Sequence, residues 1–147
     1  MVSWSIQRPT AADLAAIRGL LAASNLPSED VAEHLDHFLS AWDGKRLAGV
    51  VGMEIRNTEG LLRSLAVDPA YRGTGLGKAL TQEILSHAIS NGVTNAGLLT
   101  TTAAKFFARH GFLPIPREEI PEWIKTSKEY RLHCPSTAVC MIKQLPP

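Results

Sequence analysis

The stretch Arg72-Gly73-Thr74-Gly75-Leu76-Gly77-Lys78 restricts what this chain can fold into more than any other. It follows an apolar run over residues 61–67 and opens an amphipathic run over 76–88, so it reads as strand, glycine loop and helix. Three glycines within five residues let the backbone approach a ligand without Cβ atoms in the way, and leave N–H groups pointing outward at a helix N-terminus. Such a nest, at the positive end of a helix dipole, favours an anion, and Arg72 and Lys78 add charge at either edge. A phosphate or pyrophosphate fits that description. Two common phosphate patterns fail: the glycines run G-x-G-x-G rather than G-x-G-x-x-G, and Ala79, not Ser or Thr, follows Lys78.

Around this loop the periodicity predicts a series of short elements. Residues 4–8, stopped by Pro9, read as a first strand. Thr10 and Asp13 resemble a capping box ahead of an apolar helical stripe at Leu14, Ile17, Leu20 and Leu21, which ends near Ser24-Asn25. Val31 and Leu35 suggest a short second helix. Residues 38–42 and 46–55 form strands two and three around Asp43-Gly44-Lys45, a hairpin signal. A polar turn over 56–60 leads to strand four, 61–67, where simple alternation puts Leu61, Arg63, Leu65 and Val67 on one face. Leu76, Leu80, Ile84 and Ala88 give the long helix one buried side, and Asn91-Gly92 ends it. A fifth strand over 96–102, a helix over 103–110 and a sixth strand over 112–115 follow. A polar, helical excursion over 117–130 precedes a last strand at 138–145. Strands four and five flank a helix of about four turns, so they should be parallel, with the glycine loop at the C-terminal end of strand four where such sheets bind ligands.

The spacing Arg72-x-x-Gly75-x-Gly77, preceded by Leu65-Ala66-Val67-Asp68-Pro69, resembles the Arg/Gln-x-x-Gly-x-Gly/Ala motif of the GNAT family of acetyl-CoA-dependent N-acyltransferases. The later Phe106-Phe107-Ala108-Arg109-His110-Gly111-Phe112 is similar to that family's second cofactor segment. The resemblance covers most of residues 1–147. It implies a single α/β domain of GNAT fold: a mixed central sheet of six to seven strands, strands four and five parallel and splayed, and about four flanking helices. It implies acetyl-CoA as cosubstrate, its pantetheine arm in the V between strands four and five. Leu65 would polarise the acetyl carbonyl through its N–H, Val67 would pair with the pantetheine through its backbone beside Ala66, and amides of Arg72, Gly73, Thr74, Gly75, Leu76, Gly77 and Lys78 would hold the pyrophosphate. Thr102, Phe106 and Phe107 complete the expected cofactor contacts.

Acetyl transfer to an amine needs a neutral nitrogen, a base for its proton and a route for the thiolate to leave. Many GNAT enzymes carry Tyr in the aromatic pair; here Phe107 stands instead, which leaves unaided departure, Thr100, Thr101, Thr102 or a water. For the base, Glu54 at the end of strand three and Glu59 before strand four are nearest the expected acceptor side, with solvent-facing roles or a bridging water as the alternatives. Arg63 and Ser64 are the candidate acceptor-binding residues. An Arg inside an apolar strand must meet an anion, either a local carboxylate or the carboxylate of an amino-acid acceptor.

Residues 61–67, 98–102, Phe106-Phe107 and 134–141 also look like the small GNAT branch associated with arsenic resistance. They resemble, more weakly, the acetyltransferase domain of bacterial N-acetylglutamate synthases. Both imply a small, amino-acid-like amine as acceptor, including toxic analogues. The other readings are a protein or peptide N-acetyltransferase and a degenerate acyl-CoA-binding sensor, the latter motivated by Phe107. His34 and His37 have a spacing that could ligate a metal, and Cys134 with Cys140 could hold a soft ion, but no third ligand accompanies either pair, so no metal site is expected. A net charge of +1 without like-charged blocks gives no reason to expect a nucleic-acid or membrane partner. With no signal-like N-terminus and only two cysteines, a cytoplasmic protein with reduced thiols is expected. A homodimer is left open.

Overall fold

In the computed structural model, residues 3–127, 130 and 137–146 are described. Their β-strands form one seven-stranded sheet, within which residues 38–67 run as three consecutive antiparallel strands joined by two tight turns. Strand β1 (Ser5–Gln7) pairs with β2 (Phe38–Asp43), which turns at Gly44 into β3 (Arg46–Arg56). β3 turns at Asn57-Thr58 into β4 (Glu59–Val67), a shorter turn than the expected 56–60, because Asn57 takes the left-handed region at φ 56°. The remaining strands are β5 (Asn95–Thr100), β6 (Leu113–Ile115) and β7 (Val139–Gln144). The order is β1-β2-β3-β4-β5-β7-β6, antiparallel throughout except for the parallel β4–β5 pair.

Two helices cover one face, α2 (Leu76–Ser90) and α3 (Ala104–Ala108). The side of α2 carrying Leu76, Leu80, Ile84 and Ala88 is buried against Val51, Met53, Leu62 and Leu98. The opposite face carries α1 (Leu14–Ala23) and the 3₁₀ helix Val31–His37, packed through Ile17, Leu21 and Val31 on Phe38, Val50 and Ala66. Further along that face, a 3₁₀ turn (Arg117–Glu119) and α4 (Glu122–Lys125) seal Leu61 and Cys140 through Ile120 and Ile124. The capping box is present, with the Thr10 N–H donating to Asp13 Oδ2 at 2.8 Å. None of the described helices is long and apolar enough to cross a membrane.

The expected alternation along strand four is corrected by the structure. Val50 faces Ala66 and Gly52 faces Arg63, so Val51 alone stands opposite both Ser64 and Leu65. This is a β-bulge on β4, and Ser64 carries it at φ 62°. An inserted residue reverses the face of everything after it. Leu61 packs beneath Ile120 and Ile124, while Leu65 and Val67 join the cluster under α2. The expected single row of Leu61, Arg63, Leu65 and Val67 is therefore two half-rows on opposite faces.

Candidate active site

Parallel pairing between β4 and β5 lasts three residues, Glu59 with Asn95, Gly60 with Ala96 and Leu61 with Gly97. Beyond that point β5 remains paired with β7 as far as Thr100, so the sheet stays intact on one side while β4 parts company on the other. The bulge at Ser64 sits on the departing stretch and increases its bend. Between the strands lies a cleft of about 320 Å³, lined on one wall by residues 62–67 of β4 and on the other by residues 98–103, with Phe107 between. Ser24, Asn25, Leu26 and Pro27, from the segment after α1, also line it.

The cleft is continued by a second hollow through their shared residues Val67 and Arg72. This hollow, about 270 Å³, is lined by Tyr71, Gly73, Gly75, Leu76, Gly77, Lys78 and Phe106. The loop is braced from behind. Asp68 Oδ1 accepts from the Ala70 N–H at 2.9 Å and from Arg46 at 3.1 Å, the Tyr71 hydroxyl donates to Asp43 at 2.7 Å, and the Thr74 hydroxyl donates to the Tyr71 carbonyl at 2.6 Å. Gly75, at φ 88°, is the N-cap of α2, whose first amides have no partners within the helix. A Cβ on Gly73 or Gly75 would meet nothing within 4 Å, so what these glycines supply is their left-handed backbone, at φ 77° and 88°. Backbone donors, a fifteen-residue helix and the exposed Arg72 and Lys78 thus converge on one hollow.

Thr101 and Thr102 are exposed on the cleft wall, whereas Thr100 Oγ1 accepts from the Ala103 N–H at 2.9 Å and ends β5 before the expected residue 102. Phe106 borders the second hollow and stacks edge-on against Phe107, which is 5% exposed and also packs on Phe112. Thr101, Thr102 and Phe107 thus line the first cleft, and Phe106 the loop hollow.

Arg63 and Glu54 behave differently. The Arg63 guanidinium lies between two carboxylates, making a two-pronged contact with Asp30 at 2.7 and 2.7 Å and a third to Glu54 at 3.0 Å. Its Nε donates to Ser64 Oγ at 3.0 Å and its side chain has no exposed surface, so of the two anions open to Arg63 the structure supplies the local one. Arg63 borders the cleft without presenting its charge to it. Glu54 is 7% exposed, engaged by Arg63 and 3.4 Å from His34, and does not line the cleft; Glu59 accepts from the Trp123 indole instead. Neither carboxylate is placed as a base for a ligand there. Burial alone would raise the Asp30 carboxyl, but hydrogen bonds from His34 and Arg63 outweigh it and hold it well below the usual carboxylate range.

Asp30 is the residue the sequence reading missed. The signal was present as Asp30-x-x-x-His34, which brings both side chains to one side of a helical turn opposite a strand arginine that needs an anion. His34 and His37 do not converge: His34 meets Asp30 and Glu54, while His37 Nδ1 lies 2.9 Å from His87 Nε2. Asp30, His34 and Glu54 are the one group with metal-ligand spacing among the described residues, yet Arg63 already occupies oxygens of both carboxylates. Of the tail residues Lys128, Tyr130, Arg131 and His133, which the sequence allows to fold over the acceptor side, only Tyr130 is among the described residues, with the Arg117 guanidinium over its ring; Cys134 also lies outside them, and Cys140 is buried on β7.

A parallel strand pair that parts beside an amide-lined loop defines an α/β protein built to seat a long ligand ending in phosphate. The chain belongs to the family of the acetyltransferase (GNAT) domain, whose model matches residues 34–114. An amino-acid acetyltransferase of Pseudomonas putida KT2440 is 40% identical over 62 residues, which are 42% of this chain and 14% of that protein. The chain thus spans about a seventh of that relative's length. Among solved structures, N-acetylglutamate synthase from Neisseria gonorrhoeae, complexed with coenzyme A and L-arginine, superposes with TM-score 0.83 at 23% identity over all of this chain and 34% of its own. Rv2747 from Mycobacterium tuberculosis, in complex with CoA and NLQ, gives TM-score 0.81 at 22% identity over 97% and 99% of the two chains.

Proposed function

We propose that this protein is an acetyl-CoA-dependent N-acetyltransferase that acetylates the primary amine of a small, amino-acid-like metabolite by direct attack on the thioester. The observation that carries this reading is the parting of β4 from β5 at Leu61 and Gly97, directly beside the glycine loop. A pantetheine arm needs such a gap, since its amides can then take the strand edges that β4 and β5 no longer offer each other. Its pyrophosphate would rest on the amides of residues 72–78, and the acetyl carbonyl would accept from the Leu65 N–H. An aimed donor of that kind contributes roughly 3 kcal/mol to stabilising the developing oxyanion.

The acceptor would lie beside Ser24–Pro27, where the cleft offers the polar, uncharged side chains of Ser24, Asn25, Thr101 and Thr102. Small hydroxyls and an amide suit a compact, hydrogen-bonding acceptor, and the likeness to amino-acid acetyltransferases supports an amino-acid skeleton. Arg63 has no part in holding it. Among the described residues, no carboxylate, imidazole or phenol lines the cleft, so the amine proton is passed to water and the thiolate leaves without a side-chain acid at Phe107.

Free CoA release from acetyl-CoA, with mass spectrometry of products, tests the substrate class across amino acids, amino-acid-like arsenicals and phosphinates, polyamines and short peptides. Acceptor-dependent release confined to the amino-acid-like group, with a product heavier by one acetyl group, supports the reading. Turnover only of peptides would move the acceptor to a protein amine. Binding of acetyl-CoA without turnover of any amine would leave a sensor.

A further inference from the structure

Ser64 is a serine in a conformation that glycine adopts freely and other residues adopt at a cost. It is 4% exposed, and its hydroxyl accepts from Arg63 Nε at 3.0 Å. The guanidinium that makes this bond cannot turn away, because Asp30 grips both of its terminal nitrogens at 2.7 Å and Glu54 adds a third contact at 3.0 Å. We propose that Asp30, Arg63 and Ser64 are positioning residues for acetyl transfer: a buried chain that locks the β4 bulge and so aims the Leu65 N–H into the cleft.

The bulge decides where that N–H points. Two residues of β4, Ser64 and Leu65, stand opposite the single residue Val51, so the β3 ladder has no matching place for both. On the other side, pairing with β5 has already ended at Leu61. Leu65 is thus where β4 has lost regular partners on both flanks, and its orientation depends on the dihedral angles of Ser64. If Ser64 relaxed to extended backbone, the register would slip by one and Leu65 would turn to the opposite face. The Arg63 contact opposes that slip. Asp30 lies three residues beyond Pro27, which lines the cleft, so the same ion pair ties that cleft segment to the carbonyl-binding strand.

This inference rests on the reading that Leu65 polarises an acetyl thioester, and the experiment separates the two. The carbonyl carbon of bound [1-¹³C]acetyl-CoA is followed by NMR in the wild type, Arg63→Lys, Asp30→Asn and Ser64→Ala, alongside kcat and KM. The wild-type resonance should move downfield from that of free acetyl-CoA. In each variant it should return toward the free position while acetyl-CoA affinity stays within about threefold. The value of kcat should fall about tenfold or more for every acceptor that the wild type uses, as expected when a reacting group is misplaced by about an ångström. Combining Arg63→Lys with Ser64→Gly should restore most of the loss, because glycine needs no partner to hold that φ. Should Arg63→Lys fail to fold, Ser64→Ala retains the Arg63–Asp30 pair and gives the same readouts. A wild-type carbonyl shift that persists in all three variants overturns the proposal alone, as does a rise in acceptor KM with unchanged kcat, or no rescue by Ser64→Gly. No shift in the wild type overturns both the proposal and the oxyanion reading beneath it.

Discussion

Gly75 holds φ at 88° where the loop turns into α2, and a Cβ there would meet nothing within 4 Å. A valine there would push the loop out of the arrangement that aims its N–H groups, and regaining it on binding costs about 1–2 kcal/mol. Gly75→Val should therefore weaken CoA binding roughly five- to thirtyfold by calorimetry with little loss of fold; unchanged affinity would remove the phosphates from this loop. The glycines were legible because their chemistry is local: three small residues between an apolar run and an amphipathic one allow few other structures. Arg63 was half legible. Its need for an anion follows from one strand, but the anion comes from Asp30, 33 residues away, and no local pattern ranks that carboxylate above a substrate's. Glu54 looked available from its place at the end of a strand, and was claimed by the same arginine.

At the scale of elements, β3 shows how closely the sheet is fitted around that arginine. A Cβ on Gly52 would fall 2.4 Å from two atoms of the Phe38 ring, which is fully buried and has the Arg63 guanidinium 6.0 Å from its centroid. Gly52→Ala should lower stability by about 1–3 kcal/mol in urea unfolding, the usual cost of overpacking, and no change would mean that the ring has room to move. A second contact between elements joins the end of the 3₁₀ helix Val31–His37 to α2, with His37 and His87 nitrogens 2.9 Å apart. Burial first, then the neighbouring His37 and Arg8, depress the His87 pKa. His110 is depressed likewise, by burial and by Lys143 and Lys78. Since the unfolded imidazoles bind protons more readily, their contribution is complete above the unfolded value of about 6.5 and is lost as pH falls through it toward the lower folded values. Urea midpoints should thus be lower at about pH 5.5 than at about pH 7.5, and His87→Asn should flatten that difference; an equal slope in the variant would place its origin elsewhere.

Element identity was readable where periodicity runs long, as in α2, whose four-residue spacing of Leu76, Leu80, Ile84 and Ala88 matches its buried side. The β4 bulge was not readable. A left-handed residue is usually announced by glycine or asparagine, and here it is a serine whose hydroxyl is held by the preceding arginine, so alternation was carried across a register shift that only the pairing with β3 discloses. Likewise β5 ends at Thr100 and not at residue 102 because a threonine side chain caps the following turn, a choice that three consecutive threonines leave undetermined.

Across the whole molecule, these features amount to one asymmetry in the sheet. β7 pairs with β5 along its full length while β4 leaves β5 after three residues, so the opening falls between β4 and β5 and nowhere else along the pairings described. The glycine loop then stands beside that opening because it follows β4 directly, and the segment after α1 contributes to its lining. A crystal structure with CoA bound tests this arrangement most directly. The expected result is a pantetheine arm between β4 and β5, and a pyrophosphate within hydrogen-bond distance of the amides of residues 73–78. CoA seated elsewhere, or a β4–β5 pair that closes to continuous ladder with CoA outside it, would contradict the assignment of this cleft as the seat of the acyl donor.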